Sequence, residues 1–507
     1  MSFSSGTILD SRGNPMPPSP AQQAPLYEGA SSGARMGDWG MSAAGPNAAA
    51  FRSIGAMRQR AREVDRNNPS ARGGIDSFIS NLVGTDISPA WDLDNRDQRE
   101  ELHGLWDDSQ LEADFYGTTD FYGTVEQTAR SMVRDGEGLG KFIDCPPSMG
   151  LVVPLQIQIL EADHLDAGYN DISPEGNEIR FGIEWKNGRR HRYWPYNDHP
   201  GENFLTRDNI TRVPVDAADM LHIFRPRRAG EARGMSWLAP ILVKLHDIDI
   251  YDDAEVVRKK AAALWGGFIY SDKPVSPREV GAGGVIKKTA NSTSIRLEPG
   301  TFPVLSDGQK VSFSETADVG NNYLDFIKTQ FRLIARGLGI TYEQLTGDLS
   351  GVNYTSLRAG LIEFRRLCEQ IIARTLIFQY CRPYINRWIY TAVLSGATRT
   401  ISVTEYMKNR RLFQRVSWHL DGWDFTDPVK DRVAESMDIR GGIETRGQKI
   451  AKRGGNLYRV DKQNQQEKEN AEKHNMVYDS YASQTDKSGT IQQKIEDKVI
   501  LDSLDTE

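Results

Sequence analysis

The chain reads as a mainly helical α+β protein, and three observations predict it. Two stretches, 322–338 and 355–394, carry apolar residues at steps of three and four, the spacing of one helix face. Between residues 151 and 196 the pattern shortens toward a period of two and is punctuated by turn residues, as in short antiparallel strands. With 507 residues, of which 38% are hydrophobic, the chain has room for two to four domains and a sizeable core.

Composition narrows the function. A net charge of −7 and a pI near 5.8 argue against a broad basic surface that wraps nucleic acid. They leave room for a protein that lets nucleic acid pass without gripping it. Cys145, Cys368 and Cys381 show no paired spacing, which predicts a reduced cytosolic protein without a disulfide framework. No apolar run approaches the ~18 residues of a membrane span, and the N-terminus lacks the basic-then-apolar layout of a signal peptide. The expectation is a soluble protein made in the cytoplasm.

Residues 1–50, rich in Ser, Gly, Ala and Pro, cannot bury enough apolar surface to offset ordering, so a mobile arm is expected. From Phe51 to Arg72, six arginines stand against Glu63 and Asp65. The run Arg52, Arg58, Arg60, Arg62, Arg66 is either a solvated helix face or a contact with DNA or an acidic neighbour. Ser77–Val83 is a short apolar run and 84–95 reads as loop. Asp97–Ala113 reads as an amphipathic helix through Leu102, Leu105, Trp106 and Leu111, and Thr124–Asp135 as another. The glycine cluster 136–141 fails as a phosphate loop, because Asp135 and Phe142 occupy the positions that need Gly and Ser or Thr. A turn leading into a strand is expected there. Strand signals follow at Leu155, Ile157 and Ile159, at 179–185 and at 192–196, with Asn187-Gly188 as a hairpin turn. His191 and His199 lack helical pairing or an evident third ligand, so no metal site and no cofactor are expected.

A helix is expected from Ser236, an N-cap candidate with Pro240 in the first turn, to about Trp265. Asp247, Asp249, Asp252, Asp253 and Glu255 crowd its middle. They suit a charged helix face, or less readily a divalent ion and a metal-dependent nuclease. Residues 268–319 are short strands and turns, an insertion that should protrude from the far end of two helices. In the second, Leu324, Ile327, Phe331, Ile334 and Leu338 form an apolar seam, while Lys328, Arg332 and Arg336 form a basic stripe. Gly337-Leu-Gly339 ends it and leads into a turn-rich mobile loop, 340–354. The next helix, 355–394, would span roughly 60 Å and is interrupted at Pro383. Short strands are expected at 398–403, helices at 429–439 and 444–453. From Asp461 onward, eleven acidic residues against six lysines predict partial helix and then disorder.

Several stretches, in this order, resemble one family, the portal proteins of tailed bacteriophages in the branch typified by phage lambda. They include Pro154-Leu-Gln-Ile-Gln-Ile-Leu-Glu-Ala-Asp-His-Leu165, Phe181-Gly-Ile-Glu-Trp185 and Met220-Leu-His-Ile-Phe-Arg-Pro226. Arg233-Gly-Met-Ser-Trp-Leu-Ala-Pro240, Gly347-Asp-Leu-Ser-Gly-Val-Asn-Tyr-Thr-Ser-Leu-Arg-Ala-Gly360 and Trp423-Asp-Phe-Thr-Asp-Pro-Val-Lys430 continue it. The resemblance runs from roughly 50 to 455.

It implies a ring, usually of twelve copies, around a DNA channel at one capsid vertex of the virion, assembled in the bacterial host cytoplasm. The implied parts are an arm (1–50), a wing (51–234), stem helices (235–267 and 320–339) and a clip between them (268–319). A tunnel loop (340–354), a long wing helix with return strands (355–426), a crown (427–475) and a flexible acidic tail (476–507) complete it. Implied partners are double-stranded DNA without sequence specificity, the terminase large subunit, head-completion and tail adaptor proteins, and major capsid and scaffold proteins. No membrane and no enzymatic activity are implied.

Tyr342, Gln344, Thr346, Asp348, Asn353, Tyr354 and, just past the loop, Arg358 are the candidates to face DNA. For Tyr342 and Tyr354 the alternative is packing against the helix ends. Lys328, Arg332 and Arg336 either touch phosphates weakly or form salt bridges between subunits, with Asp247, Asp252, Asp253 and Glu255 as the opposing stripe.

Overall fold

The structure is a computed structural model that describes residues 42–202, 210–264, 268–271, 286–289, 292–295, 309–312, 322–420, 422–423, 428–455, 457–474 and 476. The expectations for 1–41, for most of 268–319 and for 477–507 lie outside them.

Three helices open the described residues: α1 (Pro46–Phe51), α2 (Ile54–Asn67) and α3 (Pro69–Val83). Asn68 ends α2 and caps α3, accepting the Ala71 amide at 2.9 Å, and Pro69 follows where a missing N–H costs nothing. The apolar run at 77–83 is therefore the end of a longer helix, with Ile75, Phe78, Ile79 and Leu82 buried. Within 84–95, expected to be loop, lies strand β1 (Ile87–Trp91). Its antiparallel partner is β14 (Val416–Leu420), far along the chain, so the pairing left no local hairpin signal. Pro89 is accommodated because this two-stranded ribbon has only edges.

Helix α4 (Arg96–Ser109) starts on the Asn95 cap and ends in one 3-10 turn; Leu102 and Trp106 are buried, but Leu111 faces solvent, contrary to expectation. Helix α5 (Phe121–Arg134) is capped by Asp120, whose carboxylate accepts the Gly123 amide at 2.8 Å. The strands follow: β2 (Glu137–Asp144), β3 (Leu155–Leu160), β4 (Asp171–Ile172), β5 (Glu178–Arg180), β6 (Ile183–Lys186), β7 (Arg189–Tyr193), β8 (Val215–Asp216) and β9 (Met220–Phe224). They form an antiparallel sheet β3-β2-β9 and a five-stranded meander β4 to β8. Asn187 (φ 52°) and Gly188 (φ 73°) make the β6–β7 turn, both left-handed as that hairpin requires. The glycine cluster is a turn into β2. Gly136 has φ 99°, and a Cβ there would lie 2.3 Å from the Met235 carbonyl carbon.

Helix α6 (Leu242–Leu264) begins six residues later than expected. Ser236 caps only a turn, accepting the Leu238 amide at 3.2 Å, before Leu238 starts the bonds that lead into the helix. In the insertion, β10 (Phe268–Ser271) pairs with β13 (Gln309–Ser312), and β11 (Ile286–Thr289) with β12 (Ser292–Ile295). The first pairing closes the base of the insertion onto itself. Then come α7 (Asn322–Leu338), α8 (Tyr342–Thr346) and α9 (Tyr354–Ile371). A ten-residue π-helical stretch, Ile372–Cys381, joins α9 to α10 (Arg382–Leu394). Pro383 thus interrupts the long helix differently than expected. Its ring opposes the carbonyl one turn back, and the chain answers by widening the preceding turns, the Arg382 amide bonding to Ile377. The strands expected at 398–403 are absent; α11 (Val403–Phe413) starts there instead, with Ser402 capping the Glu405 amide. β14 (Val416–Leu420), α12 (Pro428–Arg440), α13 (Arg446–Lys452) and α14 (Leu457–Lys473) complete the described chain.

One continuous core joins α3, α5, the β3-β2-β9 sheet, the root of α6, the end of α7 and the long helix. Its centre is aromatic: Trp106 meets Phe121 at 5.0 Å and Trp388 at 5.5 Å. The polar atoms of these rings are satisfied, Trp388 Nε1 donating to Ser109 Oγ at 2.9 Å and the Tyr380 hydroxyl to Thr124 Oγ1 at 2.8 Å. The three cysteines are buried free thiols.

Candidate functional site in the α6–α7 hairpin and the loop after it

Helices α6 and α7 pack on one another around the insertion. Tyr251 stacks on Tyr323 at 6.0 Å and meets Phe326 at 5.5 Å, and the Tyr323 hydroxyl donates to Asp252. That bond, with some burial, raises the Tyr323 hydroxyl to about 12. The seam of α7 is graded. Leu338 and Ile334 are buried in the core, Phe331 and Ile327 are half-buried, and Leu324 is 64% exposed. On α6, Leu245 is buried, whereas Val243, Ile250 and Val257 are exposed. The hairpin is rooted in its own chain through Leu245, Ile334 and Leu338, and its outward side carries uncovered apolar side chains, from Val243 near the root to Val257 and Leu324 farther out.

The stripes are also uncovered. Asp247, Asp249 and Asp253 are exposed, while Glu255 is buried and taken by Arg258 at 2.7 Å and 2.9 Å. These carboxylates do not converge with a third ligand in any metal-sized group among the described residues. Lys328 is half-buried, Arg332 and Arg336 are exposed, and none forms an ion pair among the described residues. Arg332 sits over the Tyr342 ring at 5.7 Å, a cation–π contact that ties the stripe to the loop.

The segment 340–354, expected to be one mobile loop, has two halves. Thr341 and Gln344 form a reciprocal capping box that starts α8, with the Gln344 side chain accepting the Thr341 amide at 3.0 Å. Leu345 is buried against α3, where a Cβ on Gly74 would meet it at 2.9 Å. Gly347 (φ 70°) ends the turn. Asp348 then accepts the Ser350 amide at 3.0 Å and the Tyr342 hydroxyl at 3.2 Å. Those hydrogen bonds, Ser350's first, hold its carboxyl below the usual carboxylate range. Asn353 caps α9 through the Thr355 amide at 2.8 Å. The structure thus gives Tyr342, Gln344, Thr346 and Asp348 bonds within the loop itself, and Asn353 a bond to the start of α9. Arg358 is half-buried, and the side chain of Tyr354 lies outside the described residues. What the loop presents outward is Gly347, Leu349, Ser350, Gly351 and Asn353.

A second charged constellation escaped the sequence reading. Arg233 and Glu137 are both fully buried, with Arg233 Nε donating at 2.8 Å to both carboxylate oxygens and its Nη atoms reaching Phe181 O at 2.9 Å and Ala162 O at 3.2 Å. Arg58 adds a bond to Glu137 at 2.9 Å and one to Asp163 at 3.0 Å. His222 Nε2 donates to Glu137 at 2.9 Å, and its Nδ1 faces the Tyr193 hydroxyl at 3.5 Å. Around this, Asp135 is gripped by two forks, Arg62 (2.9 and 2.9 Å) and Arg134 (2.9 and 3.0 Å). Burial alone would raise the Glu137 carboxyl; the Arg233 charge and the bonds from His222 and Arg233 outweigh it and hold it well below its usual range. Burial lowers His222 to about 4 against the pull of Glu137, so it is neutral. The arginine run of α2 is therefore split by face. Arg52, Arg60 and Arg66 are solvated as expected, while Arg58 and Arg62 meet acidic partners inside the same chain. The motif from Arg233 to Pro240 opens on the residue that locks the root of α6 to the sheet. The only hint in the sequence was a Glu within a glycine-rich, strand-forming segment, which did not identify its partners.

The histidines do gain neighbours. His199 shares a 4.8 Å group with Glu161 and Asp163, and His191 with Glu175 and Glu184. Both acid pairs are committed: Asp163 to Arg58 and Arg62, Glu161 to Arg62 and Arg134, Glu175 to Arg192, and Glu184 to Ser173, Asn177 and Trp194. A cation would have to displace guanidinium groups from the first group. No helix among the described residues is long and apolar enough to cross a membrane.

A family model described as phage portal protein, lambda family, matches residues 32–371. The chain belongs to that family, whose members are structural assembly proteins of the virion. Similar proteins include the probable portal protein of Halomonas phage phiHAP-1, 27% identical over 429 residues and covering 77% of this chain and 74% of that one. The portal protein of Escherichia phage N15 is 21% identical over 476 residues (85% and 87%), and portal protein B of Escherichia phage lambda 22% over 270 residues (49% and 50%). Among solved structures, a chain from the neck of a native gene transfer agent (GTA) particle computed with C12 symmetry is similar, with a TM-score of 0.44 and 14% identity over 82% of this chain and 96% of that one. A chain from the virion of a native GTA particle gives a TM-score of 0.42 and 13% identity over 80% and 93%.

Proposed function

We propose that copies of this chain close into a ring, with twelve as the expected number, whose α6–α7 hairpins stand side by side around a channel for double-stranded DNA. The observation that carries the reading is the graded hairpin, buried at its root and apolar but uncovered beyond it. Such a surface is stabilised by neighbours, and identical neighbours in a head-to-tail arrangement close a ring. The acidic stripe of α6 facing the basic stripe of α7 on the next copy would set the register. In this reading residues 51–234 form the wing, 268–319 the clip that meets the terminase large subunit and later the head-completion and tail adaptors, and 427–475 the crown. Major capsid and scaffold proteins surround the wing at the vertex of the virion.

The channel must let DNA slide. Dense phosphate contacts would release counterions and hold the duplex in place, so a net-acidic chain with isolated basic groups suits passage. The outer half of 340–354 presents neutral groups on a base anchored by Leu345, which positions it without gripping the duplex. Negative-stain images of the purified protein should show rings, and a strictly monomeric protein at high concentration would end the reading. Replacing 348–352 with two glycines, which spares the Leu345 anchor, should leave rings intact and lower packaging or retention of DNA. Normal genome-filled heads from that variant would remove the loop from the mechanism.

A further inference from the structure

A groove of about 750 Å³ lies away from the hairpin, between the π-helical stretch, the start of α10, the end of α11 and β14. Its apolar lining includes Ile377, Val416, Trp418 and Phe378, which is 60% exposed. Around them stand Arg382, Arg411 and Arg415, all exposed and without an ion pair among the described residues. Asn386 Oδ1 lines the same groove, is buried, and has no hydrogen-bond donor among the described residues. Three unpaired guanidinium groups call for carboxylates or phosphates, the exposed phenylalanine calls for apolar side chains, and a desolvated amide oxygen calls for an N–H donor. A nucleic-acid backbone supplies only the first of these. An acidic peptide with apolar residues supplies all three, its main-chain amide serving Asn386.

We infer that the groove is the docking site for residues 499–507 of this protein, Val-Ile-Leu-Asp-Ser-Leu-Asp-Thr-Glu. Four apolar side chains there alternate in clusters with Asp502, Asp505 and Glu507. The segment lies outside the described residues, and its composition complements the groove in both charge and apolarity. The 22 residues between Met476 and this segment can extend about 70 Å at ~3.3 Å each. On the way there, α13 packs on β14, the strand that carries Val416 and Trp418.

The test uses the full-length protein with the photo-crosslinking amino acid p-benzoylphenylalanine in place of Phe378, an exposed position, followed by mass spectrometry of the crosslinked peptides. Crosslinks to 499–507, in the same or a neighbouring copy, are expected. Asp502→Lys with Asp505→Lys should cut their yield about tenfold, as the loss of two partly exposed ion pairs implies. Arg411→Glu with Arg415→Glu should do the same with the melting temperature unchanged, and combining the four substitutions should restore the yield. Crosslinks to other segments, to added duplex DNA in preference to the tail, or a yield indifferent to charge reversal would overturn the assignment.

Discussion

The ionic cluster around Glu137 and the α6–α7 hairpin are built from the same residue types and resolve them in opposite ways. Around Glu137 each arginine meets a carboxylate of its own chain, and the central pair is fully buried. Along the hairpin, Asp247, Asp253, Arg332 and Arg336 stand in solvent beside exposed Ile250, Val257 and Leu324. One region encloses its charges; the other leaves apolar groups out. Both depart from the usual rule for where charged and apolar groups lie, and the departures divide the labour. A closed cluster fixes the root of α6 to the sheet, and an open hairpin on that fixed root can present its face to another molecule in one orientation.

The contrast is most easily broken from the closed side. Glu137→Gln leaves Arg233 buried and unbalanced, and the single-chain fold should lose about 3–5 kcal/mol, read as a shift in the urea midpoint. Arg233→Met alone should cost a similar amount. The double variant Glu137→Leu with Arg233→Met should be less destabilised than either, because the uncompensated charge is gone. A double variant as weak as the sum of the singles would mean that the cluster stabilises as a network rather than through charge balance.

A smaller effect comes with pH. His222 is lowered to about 4 by burial, and His103 to about 4 by burial and the Arg459 charge, against 6.5 for the unfolded chain. Between those values the unfolded state binds more protons, so stability falls as pH drops from about 6.5 toward 4. At pH 5 each histidine should account for on the order of 2 kcal/mol. Glu137 adds its own loss only below the ordinary carboxylate range, since its folded value is depressed. Melting curves from pH 7 to 5 should show the decline, and His222→Gln should flatten its slope. A slope unchanged by that substitution would show His222 to be solvated rather than enclosed.

Much of this fold was legible because its signals are local. The α7 seam, the Asn187-Gly188 hairpin, the turn into β2 and each separate motif of the lambda-family resemblance sit within a short window of sequence. What the sequence hid depends on partners distant along the chain. β1 pairs with β14 with only a misleading Pro89 between its flanks, and Arg58 looks like any solvated arginine until Glu137 is folded beneath it. The loop was half legible: its glycines marked turns, but the Thr341–Gln344 capping box lay unread within it. Thr341→Ala should therefore cost about 1 kcal/mol and loosen α8, measurable as faster amide exchange at 342–346.

The smallest effect on the single chain is the sharpest test of the comparison. Leu324 and Val257 are 64% and 63% exposed, so Leu324→Asp and Val257→Asp should change the stability of the isolated chain by no more than about 0.5 kcal/mol. Ile334→Asp, one seam position inside the core, should unfold it, because the same chemistry then buries an unpaired charge. If neighbours cover the outer seam, the two exposed substitutions must nevertheless abolish rings, seen as a collapse to monomer in sedimentation. Rings that survive both aspartates would leave the outer seam without a partner. A large loss of stability in the monomer would instead place those side chains inside the chain's own core, and the division between a closed root and an open hairpin would no longer hold.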